Sequence, residues 1–275
     1  MTIGEVLRRS TDHLAAKGSD TPRLDTELLV AHALGVARID LYLQFDRTLA
    51  ETELAACREL IARRARREPV GYILGEWGFR RLILNVDARA LIPRPETEVV
   101  VERCLVLLRG LETPTVLDVG TGTGAIALAL ADEHPGARVT AIDLSPGALA
   151  LARENAERTG LAVELVPHDL FDGLPGGPYD LVVSNPPYVE PDDIETLEPE
   201  VRDWEPRAAL VGSGATEAVA RGALAVLRPG GALVLETAEN AAGEVAALLT
   251  ELEYADVKVT SDLSQRERVV EGRHG

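Results

Sequence analysis

The chain has 275 residues, of which 46% are hydrophobic and 27% charged, a composition typical of a soluble globular protein with one or two domains. Its net charge of −17 is uneven, because residues 1–80 hold equal numbers of basic and acidic side chains and the rest of the chain carries the whole excess of acid. An acidic surface repels phosphate backbones, which weighs against direct nucleic-acid binding there, and no stretch reaches the roughly 18 apolar residues of a membrane helix.

Residues 1–73 are predicted to form a small helical domain. Apolar residues recur at helical spacing after Ile3, after Thr21-Pro22 and from about residue 51 to residue 67. Thr21 is a candidate N-cap whose hydroxyl would accept a backbone N–H, and Pro22 suits the first position of a helix. No catalytic constellation is visible in this domain.

Residues 63–67 read Arg-Arg-Ala-Arg-Arg and form the one basic cluster of the chain. The cluster has two interpretations. It is either a solvated helix end, where the helix dipole favours cations, or a docking surface for an acidic or nucleic-acid partner.

Residues 74–93 are predicted to be a linker that contains a short hairpin, because Gly75 and Gly78 precede the apolar run 81–86. The third predicted region is residues 94–275. It begins with Arg94 between two prolines, and the second of these opens a helix with acidic residues in its first turn.

From Thr115 onward, predicted strands alternate with predicted helices. The strands are expected at 116–119, 139–143, 162–166, 180–184, 231–236, 256–260 and 267–271, and the helices at 125–133, 146–158, 216–227 and 240–252. This alternation indicates an α/β fold with a mostly parallel seven-stranded sheet covered on both faces. The last two strands are joined too closely for a crossover helix and should pair antiparallel.

A glycine-rich segment, Asp118–Gly124, follows the first of these strands and opens a helix. Glycine lets the backbone turn sharply and lets a ligand lie against it. Asp143 ends the next strand, where a carboxylate accepts ribose hydroxyls, and residues 168–171 end the third, where an adenine would lie. The spacing from Gly120 to Ala125 also fits a dinucleotide fingerprint. The third glycine, Gly124, shortens the turn and favours S-adenosylmethionine, but a nicotinamide or flavin cofactor, or a purely structural glycine turn, stays open at this point.

Asp118 has two candidate roles in this segment. It lies two residues before the first glycine, where its carboxylate could meet the ammonium of the methyl donor or order the loop.

The segment Ser184–Tyr188, Ser-Asn-Pro-Pro-Tyr, follows an apolar strand and therefore lies at the edge where open α/β sheets bind ligands. The two prolines remove backbone donors and leave rigid carbonyl acceptors beside the oxygen of Asn185. The Asn185 side chain and the Pro186 carbonyl can each accept one hydrogen of an NH2 group, and Tyr188 can stack on a flat acceptor. The alternative is a proline-rich strand exit that merely ends pairing.

This arrangement predicts methyl transfer to a planar amide or amine nitrogen. Acceptors that bond more strongly as charge develops on N–H stabilise the transition state more than the ground state. No other chemistry has comparable support, because the five histidines form no metal-ligand pattern and no nucleophilic serine elbow is present. Two isolated cysteines and the lack of a secretory leader predict a cytoplasmic protein, which we expect to be a monomer without membrane contacts.

The sequence resembles the HemK/PrmC glutamine methyltransferases, which modify peptide chain release factors. The resemblance covers nearly the whole chain, and it is carried by segments 67–76, 92–98, 118–124, 143–146, 185–188, 205–206 and 266–273. The segment Pro93–Glu98 together with Asn185–Tyr188 is quite specific, whereas Asn-Pro-Pro-Tyr alone is shared with adenine N6 methyltransferases.

The resemblance implies N5-methylation of the glutamine in the Gly-Gly-Gln loop of class 1 release factors, with the helical domain 1–73 helping to grip the factor. It implies a substrate site at Asn185, Pro186, Pro187 and Tyr188. It also implies a cofactor site, whose expected members are Asp118, Gly120, Thr121, Gly122, Thr123, Gly124, Asp143, Leu144, Asp169, Leu170, Phe171 and Asn185.

Three departures from the family pattern bear on loop geometry and adenine packing rather than on the chemistry. Residues 212–216 replace a Gly-Gly-x-Asp-Gly stretch, Thr237-Ala238 follows Glu236 where the family has Ile/Val-Gly, and Leu170 stands where an aromatic residue is common. Alternatives that stay open are a ribosomal-protein glutamine methyltransferase, an adenine-N6 nucleic-acid methyltransferase, an inactive cofactor-binding scaffold and a nicotinamide oxidoreductase.

Overall fold

A computed structural model describes residues 1–275, and these divide into two compact units. The first unit comprises Met1–Glu76 together with Glu198–Trp204, and the second comprises Trp77–Leu197 and Glu205–Gly275. None of the helices combines the length and the apolar character that a membrane span requires.

The first unit is helical. Its helices are α1 (Ile3–Ala16), α2 (Pro22–Leu34), α3 (Arg38–Leu43), α4 (Glu51–Arg64) and α5 (Val70–Leu74). Their apolar faces meet in one small core, whose fully buried members include Ile3, Val30 and Leu41. The helical periodicity predicted from the sequence is therefore confirmed, although α4 ends at Arg64 rather than near residue 67.

The start of α2 differs from the prediction. The hydroxyl of Thr21 makes no cap hydrogen bond to the helix and instead donates to Asp25 Oδ1 at 2.8 Å. The true side-chain cap in this unit is Thr2, whose hydroxyl accepts the Glu5 N–H at 3.3 Å while the Glu5 carboxylate accepts the Thr2 N–H at 2.9 Å. The hydroxyl that looks like a cap in the sequence is therefore not the one that caps a helix here.

Three of the four arginines in the basic cluster are paired within the first unit, so these three are not a solvated helix end, whereas Arg66 is exposed. Arg64 is only 6% exposed and donates to Asp25 Oδ2 at 2.7 Å and to Glu200 Oε1 at 2.6 Å. Arg67 also donates to Glu200, and Arg63 donates to Glu68. These cations therefore offset buried carboxylates and hold the segment Glu198–Trp204 in this unit.

The second unit is an α/β sandwich. Its strands are β1 (Glu76–Phe79), β2 (Leu82–Asn85), β3 (Thr115–Val119), β4 (Arg138–Asp143), β5 (Glu164–Pro167), β6 (Tyr179–Ser184), β7 (Leu227–Glu236), β8 (Ala255–Ser261) and β9 (Glu267–Arg273). Strands β1 and β2 form a hairpin, and the other seven form one sheet in the order β5-β4-β3-β6-β7-β9-β8. Strands β3 to β7 pair in parallel, while β9 is antiparallel to β7 and β8.

The longer helices of this unit are α6 (Thr97–Leu107), α7 (Ala125–Glu133), α8 (Pro146–Thr159), α11 (Ala215–Val226) and α12 (Ala242–Glu251), and the short α10 (Arg207–Leu210) precedes α11. The short α9 (Pro199–Arg202) belongs to the first unit. Alternate residues of each central strand point to opposite faces of the sheet. In β6, Leu181 and Val183 pack in the core that contains α6 and α7, whereas Val182 packs in the core that contains α11 and α12. The predicted fold, a mostly parallel seven-stranded sheet covered on both faces, is confirmed.

Candidate active site

The parallel register aligns the carboxyl ends of β3, β4, β5 and β6 along one edge of the sheet. Val119 pairs with both Ile142 and Ser184, and Asp143 pairs with Pro167. The segments that follow these strands consequently lie side by side. They border a cavity of about 480 Å³, which is within the range of small-molecule sites.

The glycine loop after β3 bends back over the end of β4. The N–H groups of Gly120 and Thr121 both donate to the Ile142 carbonyl at 2.9 Å. Gly120 and Gly122 have φ of 73° and 57°, which side-chain-bearing residues seldom adopt, and a Cβ on Gly120 would point into open space. The loop thus presents bare backbone to the cavity through residues 120–123.

Gly124 serves packing instead of the cavity. A Cβ there would come within 3.3 Å of Ala152 Cβ and within 3.2 Å of Leu128 Cδ1, so this glycine allows the start of α7 to approach α8. It does not line the cavity, although the sequence groups it with the cofactor residues.

Asp118 orders the loop from beneath. Its side chain is 1% exposed and does not line the cavity, and its Oδ2 accepts the Thr121 hydroxyl at 2.6 Å. Burial raises the pKa of this carboxyl to about 7, while the bond from Thr121 opposes the shift. Of the two roles considered for Asp118, the structure shows the ordering of the loop.

Asp143 faces the cavity at the end of β4. Its Oδ2 accepts the Gly122 N–H at 2.9 Å and its Oδ1 accepts the Ser145 N–H at 2.8 Å. Burial raises the pKa of this carboxyl, and the backbone donors favour the ionised form. Each oxygen keeps a lone pair, so the fixed carboxylate can accept the two hydroxyls of a ribose.

The segment after β5 forms an apolar wall. Leu170 and Phe171 of this segment line the cavity together with Leu144, which follows β4, and Asp169 also lines it, with its Oδ1 accepting the Phe171 N–H at 2.9 Å. Leu170 therefore takes a position in this wall beside the 61% exposed ring of Phe171. A flat base fits between such side chains.

The Asn-Pro-Pro-Tyr segment leaves β6 at the opposite side of the cavity. The Ser184 hydroxyl donates to the Val119 carbonyl at 2.7 Å and fixes the strand end. Asn185 and Pro187 line the cavity, whereas Pro186 and Tyr188 do not, and Tyr188 is 38% exposed. The sequence treats the four residues as one group, but the structure turns alternate members toward the cavity.

A hydroxyl that the sequence left unassigned holds the Asn185 amide. Asn185 Nδ2 lies 3.5 Å from Thr97 Oγ1, and the Thr97 hydroxyl is close enough to the buried carboxyl of Glu236 to lower its pKa. Glu236 is 2% exposed, and burial raises its pKa to about 7 although the Thr97 bond opposes the shift. With its NH2 group directed at Thr97, Asn185 has Oδ1 available as an acceptor.

The whole segment from Arg89 to Arg94 also lines the cavity, a role that periodicity in the sequence does not reveal. Arg94 Nη2 donates to Glu205 at 2.7 Å (Oε2) and 2.9 Å (Oε1), and the Glu205 side chain is 1% exposed. In the sequence, the feature that could have indicated this role is the pair of prolines around Arg94, because they fix the backbone on either side of a charged residue.

Asn155 connects the hairpin to the glycine loop. This fully buried side chain donates from Nδ2 to the carbonyls of Thr123 at 2.9 Å and Asn85 at 3.1 Å, and its Oδ1 accepts the Asn85 N–H at 2.6 Å. It belongs to α8, where the sequence shows an ordinary polar helix position. Its partners come from distant parts of the chain, so only the fold identifies its role.

The glycine-containing stretch 212–216 closes the acceptor side. A Cβ on Gly212 would lie 2.3 Å from Pro187 Cγ, so the absence of a side chain lets this stretch pack directly on the proline. Gly214 has φ of 79° and stands at the N-cap of α11. The departure from the family pattern therefore retains a glycine at each of the two positions where the backbone needs one.

Comparison with known proteins gives two family-model matches: the PrmC N-terminal domain over residues 5–75 and the methyltransferase small domain over residues 102–199. A release factor glutamine methyltransferase of Geobacter sulfurreducens is 45% identical, covering 100% of this chain and 97% of its own. One of Deinococcus radiodurans is 44% identical, covering 99% of each chain.

Among solved structures, the Thermus thermophilus 16S rRNA N2 G1207 methyltransferase, in complex with AdoMet and guanosine, matches with a TM-score of 0.54. It is 20% identical and the match covers 73% of this chain and 50% of that one. At this identity the likeness supports the fold alone.

Proposed function

The chain belongs to the release factor glutamine methyltransferase family, and we propose that it transfers a methyl group from S-adenosylmethionine to the side-chain amide nitrogen of a glutamine in a peptide chain release factor. The glutamine is the one in the Gly-Gly-Gln motif of class 1 factors. The observation that carries the proposal is one cavity that joins the glycine loop, Asp143 and Asn185. A site for the methyl donor and a site for an NH2 group thus share one space.

The cofactor end of the cavity suits a nucleoside. The bare backbone at Gly120 and Gly122 allows close approach, the fixed carboxylate of Asp143 offers acceptors to the ribose, and the wall at 170–171 suits the adenine. No phosphate is required at the loop, since its N–H groups at Gly120, Thr121 and Gly122 are already bonded within the protein. When bound, the cofactor supplies an electrophilic methyl group on a sulfonium.

The acceptor end suits an NH2 group. Asn185 Oδ1, on a residue that lines the cavity, is proposed to take one hydrogen. The carbonyl of Pro186, which is not itself a lining residue but lies between the lining residues Asn185 and Pro187, is proposed to take the other, and the rigid prolines keep these acceptors at fixed positions. An amide nitrogen is a poor nucleophile because its lone pair is delocalised. Acceptors that bond more strongly as charge builds on N–H lower the barrier, and holding the nitrogen in line with the methyl group supplies much of the rest.

The chain needs no strong general base before methyl transfer. The methylated amide carries an extra proton at first and is then strongly acidic, so it loses that proton readily to water. Toward the substrate, Asn185 Oδ1 and the Pro186 carbonyl act only as acceptors of hydrogen bonds, and their fixed positions are what the fold contributes to the step.

The helical domain, residues 1–73, is proposed to help grip the release factor, and residues 74–93 to link it to the methyltransferase domain of residues 94–275. We place the protein in the cytoplasm as a monomer, without direct nucleic-acid or membrane contacts. Two buried free cysteines are typical of a reducing compartment, and the acidic balance of residues 81–275 disfavours a phosphate backbone.

Two other acceptors remain as alternatives because they share Asn-Pro-Pro-Tyr: a ribosomal-protein glutamine and an adenine N6. Incubation of the protein with radiolabelled methyl donor and, separately, a purified release factor, ribosomal proteins and duplex DNA distinguishes them. Label on the release factor supports the proposal. Label confined to ribosomal protein or to DNA refutes the proposed acceptor while retaining the cofactor, and absence of cofactor binding in calorimetry refutes the enzyme itself.

A further inference from the structure

Arg94 lines the cavity and its side chain is partly exposed, but the steps described so far give it no role. One edge of its guanidinium is fixed, because Nη2 donates to both oxygens of Glu205. Glu205 is buried, and the Arg94 guanidinium and the nearby Ile92 N–H oppose the rise in its pKa that burial causes. A buried carboxylate with these partners holds the guanidinium in one orientation.

The remaining donors of Arg94 have no acceptor in the protein. Nη2 is the one guanidinium nitrogen that bonds, so Nε and Nη1 are available, and the side chain is 33% exposed. Arg89, the other arginine of the cavity wall, differs because all three of its guanidinium nitrogens donate to Asp87 or Glu154. Arg94 is therefore an oriented donor that a ligand can use.

Arg94 lies at the acceptor end of the cavity. The Thr97 N–H donates to the Arg94 carbonyl at 3.1 Å, which places both residues in one turn, and the Thr97 hydroxyl contacts Asn185. Tyr188 and Glu236 are within electrostatic range of the guanidinium. None of these neighbours belongs to the glycine loop.

A side-chain amide brings a carbonyl oxygen as well as an NH2 group. Asn185 Oδ1 and the Pro186 carbonyl accept the NH2 hydrogens, but neither can donate a hydrogen bond to the carbonyl oxygen of the substrate amide. That oxygen loses its bonds to water when it enters the site, so its transfer is unfavourable unless a protein donor replaces them. We propose that Arg94, oriented by Glu205, donates a hydrogen bond to the carbonyl oxygen of the amide that is methylated.

This inference rests on the proposed function and names a specificity contact within it. The guanidinium recognises an acceptor oxygen next to the reacting nitrogen and repels an ammonium, so it favours a glutamine over a lysine side chain. A cationic donor on the carbonyl draws electron density from the nitrogen, so the contact acts through binding and orientation of the amide rather than by activating it.

The test compares Arg94→Met, which keeps the length of the stem and removes every N–H, with Arg109→Met as a matched control at an exposed arginine of the same unit. Rates are measured over a range of release factor concentrations at saturating cofactor, and the cofactor Kd is measured by calorimetry. We expect Arg94→Met to lower kcat/KM for the release factor about 10- to 100-fold, mainly through KM, as loss of a charge-assisted hydrogen bond implies. The cofactor Kd should change less than threefold, and the control should match the parent protein.

Arg94→Lys guards against a folding defect in the methionine variant, since an ammonium still pairs with Glu205 but loses the planar fork. Arg94→Lys should lower kcat/KM for the release factor less than Arg94→Met does, again mainly through KM, and should leave the cofactor Kd nearly unchanged. Unchanged kcat/KM in both variants overturns the inference. A rise in cofactor Kd with unchanged kcat/KM also overturns it, because Arg94 would then contact the carboxylate of the methyl donor. Failure of the parent protein to label any glutamine instead refutes the proposed function, and this inference falls with it.

Discussion

Asp143 gives a quantitative test of the cofactor end. Its two oxygens each accept a backbone N–H, from Gly122 at 2.9 Å and from Ser145 at 2.8 Å, and face the cavity. Asp143→Ala removes both acceptors that a ribose would use. Hydrogen bonds to a charged group contribute about 1.5–3 kcal/mol each, so two bonds correspond to a loss of roughly 3–6 kcal/mol, or a Kd raised by about 10²–10⁴-fold.

Calorimetric titration with S-adenosylmethionine measures this effect directly, with Asp46→Asn as a control at an exposed carboxylate of the first unit. Asp143→Asn should lie between the parent and Asp143→Ala, because its amide keeps one acceptor oxygen but loses the charge. A Kd for Asp143→Ala within threefold of the parent value would show that this carboxylate does not bind the ribose.

Three further predictions concern the acceptor, the scaffold and pH. Asn185→Ala should lower kcat by about 10²–10³-fold with little change in cofactor Kd, as for loss of one preorganised polar contact. Steady-state rates measure this, with Asn240→Ala at an exposed asparagine as the control. A rate for Asn185→Ala close to that of the parent protein would exclude the role given to Asn185. Asn155→Leu should lower the free energy of unfolding by roughly 2–5 kcal/mol, because three buried hydrogen bonds are lost. Urea titration measures this free energy, and a decrease of less than about 1 kcal/mol would disprove the prediction. Burial raises the pKa of Asp118 to about 7 from 3.8, so the folded chain binds a proton that the unfolded chain releases, and the unfolding free energy should rise as pH falls from 8 toward 6, by on the order of 1 kcal/mol per pH unit. Asp118→Asn should make this dependence shallower, and an equal slope in both proteins would contradict the assignment.

Much of the second unit was predictable because its strands are short apolar runs between helices with clear start signals. Asp143 and the glycine loop follow such runs, so their position at the sheet edge follows from parallel pairing alone. Asn185 was predictable for the same reason. The location of a residue directly after a buried strand can be predicted from the local sequence, without knowledge of the tertiary structure.

The supporting residues were not predictable, because their partners are far away in the sequence. Thr97 contacts Asn185 from another element, and Arg94 is oriented by Glu205. Nothing in a local window distinguishes such side chains from solvent-exposed polar residues. Only the fold brings them together.

Arg64 shows the same limit in the first unit. A run of arginines at a helix end favours solvation, and the prediction of a solvated end was wrong for this side chain because Asp25 and Glu200 surround it. Glu200 comes from a segment more than a hundred residues later that joins the first unit. A long-range excursion of the chain leaves no periodic signal.

Tandem mass spectrometry of the release factor after incubation with the protein and S-adenosylmethionine tests the central claim most directly. We expect one added methyl group on the side-chain nitrogen of the Gly-Gly-Gln glutamine, absent when that glutamine is replaced by leucine. A methyl group on another residue, or an unmodified glutamine in the presence of bound cofactor, would contradict it.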